Sequence, residues 1–147
     1  MRRFLALLLL LVGPIVACGD GGGGGTGPTQ IDLNGTWAIT MSPITGHGLT
    51  CTISGMQVTL AQTDTVVTGT YSINDMICNG QHSGAGTGTI VSGSEVGGKL
   101  HMHLDDEVFD LHGSCLSTSR CNGTYSLNLF IDPDTFTFTG TWSATRI

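Results

Sequence analysis

Positive charge is almost missing from this chain. Five Lys and Arg stand against eleven Asp and Glu in 147 residues, a net charge of −6. Beyond residue 18 only Lys99, Arg120 and Arg146 remain against all eleven acids, a balance of −8. A surface of that sign excludes binding to nucleic acid or anionic lipid through charge. Long apolar runs are missing too. The longest, Phe4 to Val12, falls far short of the ~20 residues that a spanning helix needs. From Ile31 onward there is no helical periodicity, which excludes an α or α/β fold. No G-x-S-x-G elbow, Walker A loop or H-E-x-x-H is present. Gly19, Gly21 and Gly24 spell G-x-G-x-x-G, but no strand precedes them and no helix follows. The expectation is therefore a protein that is not an enzyme.

The first residues carry an export pattern instead. Arg2 and Arg3 form a positive start, Phe4 to Val12 an apolar segment, and Gly13-Pro14 a break before Ile15-Val16-Ala17-Cys18. This three-part layout is that of a signal peptide. An aliphatic residue, a spacer, a small residue and then Cys resembles the lipobox of bacterial lipoprotein precursors. The resemblance covers residues 1–18. It implies cleavage before Cys18, a diacylglyceryl thioether on Cys18, an acylated amino terminus (palmitate among the acyl chains) and a place in the bacterial cell envelope. Several acyl chains anchor a protein stably where one does not. Gly19 stands where enterobacterial lipoproteins kept at the inner membrane carry Asp, so the resemblance points to the outer membrane. Residues 1–17 are then the signal and 18–30 a lipidated tether, GDGGGGGTGPT after the Cys. Its r.m.s. reach is ~20 Å. Residues 31–147 form one domain, long enough for its own core.

That domain reads as strands throughout. Short runs rich in Thr, Val and Ile alternate in polarity between clusters of Gly, Asn, Asp and Ser. Eight strands are expected, near 34–42, 54–62, 65–74, 84–92, 96–104, 107–113, 122–131 and 135–145. Gly-Thr-aromatic recurs at Gly35-Thr36-Trp37, Gly69-Thr70-Tyr71, Gly123-Thr124-Tyr125 and Gly140-Thr141-Trp142. Residues two apart share a face, so each glycine makes room beside its ring on the inner side while Thr points out. Around Pro133-Asp134 the hairpin register pairs 131 with 136, 129 with 138, 127 with 140 and 125 with 142. Around Thr63-Asp64, Leu60 meets Val67, Val58 meets Gly69 and Met56 meets Tyr71. Around Asp105-Asp106, Met102 meets Phe109 and Leu100 meets Leu111. Successive hairpins with one apolar face favour an eight-stranded antiparallel up-and-down β-barrel, with a β-sandwich as the alternative.

Gly35-Thr36-Trp37 on a first strand followed by Gly69-Thr70-Tyr71 resembles the avidin and lipocalin barrels over some 20 residues. The resemblance implies a calycin-like barrel. It does not carry the biotin site: avidins place Asn two positions after the Trp and Ser two after the Tyr, where this chain has Ile39 and Ile73.

Apart from Cys18, four cysteines remain. An even number in an exported domain implies two disulfides. The Thr63-Asp64 register brings Cys51 opposite Met76, two residues from Cys78, and Cys115 and Cys121 bracket one short loop. Cys51–Cys78 and Cys115–Cys121 are the expected bonds. Trp37, Tyr71, Tyr125, Phe138 and Trp142 are candidates to line a ligand pocket, or simply to fill a small barrel. His101 and His103 share one face of the 99–112 hairpin, with Asp110 expected opposite His101 and His112 opposite Lys99. This set could hold zinc or copper, or be the wet face of a half-buried hairpin. His47 and His82 read as plain surface residues. Asp105, Asp106, Glu107, Asp132 and Asp134 read as turn acids, with calcium the functional alternative. The leading expectation is a membrane-anchored barrel that binds a small apolar ligand or an envelope partner; a structural lipoprotein with a filled barrel is the second, and a metal-binding protein the third.

Overall fold

The computed structural model describes residues 29–105, 108–131 and 134–147. The lipobox, most of the tether, Asp106, Glu107 and Asp132 lie outside the described residues. Among the described residues there are twelve strands: β1 (Gly35–Met41), β2 (Ile44–Gly46), β3 (Leu49–Ser54), β4 (Met56–Thr63), β5 (Val66–Ile73), β6 (Asp75–Cys78), β7 (Gln81–His82), β8 (Gly86–Val96), β9 (Lys99–Leu104), β10 (Phe109–Ser117), β11 (Arg120–Ile131) and β12 (Asp134–Arg146). Eight of them, β1, β4, β5 and β8 to β12, pair antiparallel in chain order, and β12 returns to β1 to close a barrel. The other four form a second sheet, β2-β3-β6-β7. These four short strands replace the loops expected around Cys51 and Cys78.

The alternation that selects the inner face holds along the barrel. On β12, Phe138, Trp142 and Ala144 are buried while Thr137, Thr139 and Thr141 face out. The registers differ from expectation by two residues at three hairpins. Leu127 pairs with Phe138 and Leu129 with Phe136 across β11 and β12; Val58 pairs with Tyr71 and Leu60 with Gly69 across β4 and β5; Met102 pairs with Leu111 across β9 and β10. A shift of two exchanges partners and keeps faces. The turns explain the first two shifts. Asp64 takes a left-handed conformation, φ 52°, in a two-residue loop at 64–65, as such hairpin loops require. The β11–β12 loop likewise has two residues, between Ile131 and its partner Asp134.

The shift also resolves a packing conflict. The expected register would set the rings of Tyr125 and Trp142 directly opposite each other. Instead Tyr125 faces Gly140 and Trp142 faces Gly123, so the two Gly-Thr-aromatic units interlock head to tail. Tyr71 similarly faces Gly88 on β8. The Tyr125 and Tyr71 rings lie over the bare backbone of Gly140 and Gly88, and the Trp142 ring reaches past Gly123 to Gly113 on β10, an arrangement used to curve sheets into barrels. A Cβ on Gly140 would stand 2.5 Å from the Tyr125 ring, and one on Gly123 only 1.9 Å from the His112 carbonyl oxygen. No larger residue fits at Gly123 without moving the backbone of β10.

One end of the barrel is plugged. The segment before β1 crosses it, and Leu33 is fully buried there. Its backbone N–H donates to Gln62 Oε1 at 2.7 Å, and its carbonyl accepts from Trp37 Nε1 at 2.9 Å. Glu95, fully buried, accepts from the Gly98 N–H at 2.7 Å and the Ile31 N–H at 3.2 Å. A buried carboxylate costs free energy unless it is hydrogen-bonded; here those bonds tie the entering segment to the β8–β9 turn. Arg146 lies over the Trp37 ring, 5.0 Å from its centroid, and donates to the Asp32 carbonyl.

Candidate functional site

The second sheet is a flap over the opposite end. β3 runs into β4 through Gly55, and β5 runs into β6 through Asn74. The pairing of Cys51 with Cys78 continues the register that pairs Gln57 with Ser72. β3–β4 and β5–β6 are thus one long hairpin, half of it in the barrel wall and half beyond the rim. The bend is local: Gly55 has φ +61°, and a Cβ there would fall 2.1 Å from the Asn74 side chain. Glycine alone meets both conditions.

Three contacts hold the flap over the mouth. The Cys51–Cys78 disulfide staples its two central strands, directly opposite each other rather than two residues apart. His47, exposed at the β2–β3 turn as expected, lays its ring 4.6 Å from the Phe136 ring and 5.8 Å from that of Phe138. Tyr125 Oη, from inside the barrel, donates to the Ser42 carbonyl at 3.1 Å or that of Pro43 at 3.3 Å, where the chain leaves β1 for the flap. Cys115–Cys121, at the β10–β11 turn, staples the plugged end.

Between flap and rim lies a cavity of about 390 Å³. Ile44, Leu49, Ile53 and Met76 form its roof with the disulfide, and Met56, Ile73, Leu104, Phe109, Leu127 and Leu129 its floor and walls. Its polar groups are Tyr71 and Asp105. Tyr71 Oη donates to Asp105 Oδ2, and the Thr89 N–H donates to Asp105 Oδ1 at 3.2 Å. Ring and carboxylate occupy the space that Gly88 leaves open; a Cβ there would lie 2.5 Å from the ring and 2.3 Å from Asp105 Oδ1. The cavity is therefore an apolar chamber with, among the described residues, a single carboxylate at one side, at the lower end of the 300–1,000 Å³ range of small-molecule sites.

Of the five aromatic residues expected to line a pocket, only Tyr71 borders this chamber. Trp37, Tyr125, Phe138 and Trp142 are each at most 3% exposed and fill the barrel below it. The Trp142 indole N–H is taken up by the carbonyls of Thr124 (3.0 Å) and His112 (3.2 Å). A barrel this narrow fills itself with side chains, and its free volume arises only where the flap extends the wall. Asp105, expected in a solvated turn, instead points to the mouth. The unread signal was a scatter of apolar residues, Ile44, Leu49, Ile53 and Met76, in stretches flanking Cys51 and Cys78 that otherwise read as polar loops.

A second polar cluster occupies the outer face of β9 and β10. The observed register places His112, not Asp110, opposite His101; Asp110 lies opposite His103, and Lys99 opposite Ser114. Lys99 Nζ donates to Ser114 Oγ at 3.0 Å. His101 Nε2 lies 2.7 Å from Asp110 Oδ1 and His112 Nε2 3.0 Å from Oδ2. Burial acts to raise the Asp110 carboxyl's pKa, but the hydrogen bonds from His101 and His112 outweigh it and hold the group below its ordinary value. His82 contacts Asp75 in the flap, which also accepts from the Gly84 N–H at 2.9 Å.

Fold and chamber together define a closed eight-stranded antiparallel barrel, plugged at one end and flap-covered at the other, with an apolar cavity under the flap. No protein-family model, curated protein or solved structure matches the chain.

Proposed function

We propose that this protein is a lipid-anchored bacterial envelope lipoprotein that binds a small apolar molecule, without catalysis, in the chamber between flap and barrel. The observation that carries the reading is the chamber itself: about 390 Å³ lined by aliphatic and aromatic side chains and open in part to solvent. An apolar cavity of ~150 Å³ takes up benzene, so this one suits a molecule two to three times that size. Asp105 supplies one acceptor, so the ligand best matched is apolar along its length with a hydrogen-bond donor at one end. Gln30, where the tether joins the domain, bonds the Asp64 carbonyl at the plugged end. An anchor at Cys18 therefore attaches to the end away from the mouth and leaves the flap open to solvent or to an envelope partner. The calycin-like outline suggested by Gly35-Thr36-Trp37 fits this use of a barrel mouth.

Two experiments test the two halves of the reading. Cys18→Ser should abolish incorporation of labelled palmitate and move the protein out of the membrane fraction; equal labelling of the variant would sink the anchor. The domain from Thr29, titrated with an apolar environment-sensitive dye, should show saturable binding at one site. Leu129→Trp, which fills the chamber, should weaken that binding by about tenfold or more, since each lost 1.4 kcal/mol is tenfold. Dye binding that never saturates, or that Leu129→Trp leaves unchanged, would overturn the ligand site.

A further inference from the structure

We propose that the outer face of β9 and β10 is a binding site for one divalent transition-metal ion of the nitrogen-preferring kind, zinc or copper(II), held by His101, Asp110 and His112 with His103 as fourth ligand. The site is distinct from the apolar chamber, which faces the other side of the same wall.

The register makes the site. His101 and His112 are direct cross-strand partners, and His103 and Asp110 are the next such pair on the same face. Four side chains with metal-binding atoms thus fill a block of two by two strand positions. One ligand atom from each of His101, Asp110 and His112 lies within 4.8 Å of the others. Around a zinc ion with bonds of ~2.0–2.1 Å, tetrahedral ligand atoms stand about 3.3 Å apart. His101 Nε2 stands 2.7 Å from Asp110 Oδ1 and His112 Nε2 3.0 Å from Oδ2, so side-chain rotations without backbone movement bring the ligand atoms to that separation. The His101 and His112 rings are stacked, 3.9 Å between centroids and 13° from parallel, so both nitrogens are carried to the same end of the pair, at Asp110.

His103 supplies an independent observation. Its Nδ1 is buried and has no hydrogen-bond partner among the described residues, yet it lies 3.5 Å from Asp110 Oδ1. A buried ring nitrogen without a partner is uncommon and calls for a physical reason. Entry of a cation at Asp110 would give that nitrogen a ligand role. Lys99, the one basic side chain on this hairpin, is turned to Ser114, and its charge does not occupy the site. Three imidazoles against one carboxylate form a donor set that suits zinc or copper and does not suit calcium or magnesium, which take oxygen. The ion would cross-link β9 to β10 one residue pair from Leu104 and Phe109, at the turn that carries Asp105 to the chamber.

The test uses the full chain in detergent, with zinc as the titrant in calorimetry and copper(II) as the spectroscopic probe. Zinc should bind with a stoichiometry of one and raise the unfolding temperature, since a ligand that binds only the folded state stabilises it. The copper spectrum should show coupling to at least two imidazole nitrogens. His101→Ala/His112→Ala should weaken zinc binding by about a hundredfold and remove that coupling, while His47→Ala/His82→Ala should change neither. His112→Gln alone, at the most exposed ligand, gives a milder variant should the double change impair folding, and is expected to cost about tenfold. Absence of zinc binding at about 1 mM, where the binding free energy is only ~4 kcal/mol, would overturn the site. So would zinc binding that survives the loss of His101 and His112, or calcium binding as tight as zinc.

Discussion

Replacing Trp37 by alanine should destabilise the domain by about 3–5 kcal/mol, the usual cost of removing a buried ring. The upper end is expected because Trp37 serves two junctions at once. On β1 it pairs with Val58 of β4 on one side and with Arg146 of β12 on the other, so it lies in the seam that closes the barrel. Its indole N–H is also the donor to the carbonyl of Leu33, the residue that plugs the end. Alanine removes the ring from under Arg146 and leaves that carbonyl unpaired, each a further penalty. Trp37→Phe keeps most of the apolar area and should cost about 1–3 kcal/mol, chiefly the lost hydrogen bond. Thr40→Ala, exposed on the same strand, should stay within about 0.5 kcal/mol. Urea unfolding midpoints of the three variants provide the comparison. A Trp37→Ala loss no larger than that of Thr40→Ala would mean that β1 does not close the barrel.

The second large effect concerns the flap. Cys51→Ala/Cys78→Ala opens a loop with a sequence separation of 27 residues, for which chain entropy gives about 3.5 kcal/mol. The same relation gives about 2 kcal/mol for Cys115→Ala/Cys121→Ala, whose separation is six. Stability alone would separate the two pairs weakly; dye binding should separate them sharply. The first disulfide forms part of the chamber roof, whereas the second sits at the plugged end. Loss of Cys51–Cys78 should weaken dye binding by about tenfold or more and loss of Cys115–Cys121 should leave it unchanged, since 1.4 kcal/mol of lost contact is tenfold in affinity. Equal affinity in all three proteins would show that the flap does not hold the ligand.

The barrel was legible because its signal is redundant. Each long strand repeats the same parity several times, and Gly-Thr-aromatic marks the inner face on four of them. A two-residue error in a turn cannot disturb that parity, so Phe138 and Trp142 face inward under either register. Partner identity is another matter, because it depends on loop length. Centring the β9–β10 turn one residue early shifts the register by two and sets Asp110 against His101 and Lys99 against His112, a face less suited to a cation than the observed one. The disulfides were legible for the same reason as the barrel: a two-residue error still leaves Cys51 next to Cys78. The flap was not. Its strands have three, six, four and two residues, too short for alternation to stand out, and Gly46, Gly48, Gly55 and Gly80 punctuate them as loops do. The chamber exists only because those strands return over the rim, a relation between segments that no local pattern encodes.

Barrel closure also sets an order of events. The final seam joins Trp37 to Arg146, near the two limits of the domain, while the two disulfides bridge spans of 27 and 6 residues. Contacts that distant in sequence form late, because the loop entropy of the whole chain must be paid first. Both cysteine pairs lie within single hairpins and meet without the seam. Oxidation can therefore precede closure, and the last strand then enters a wall whose two ends are already stapled.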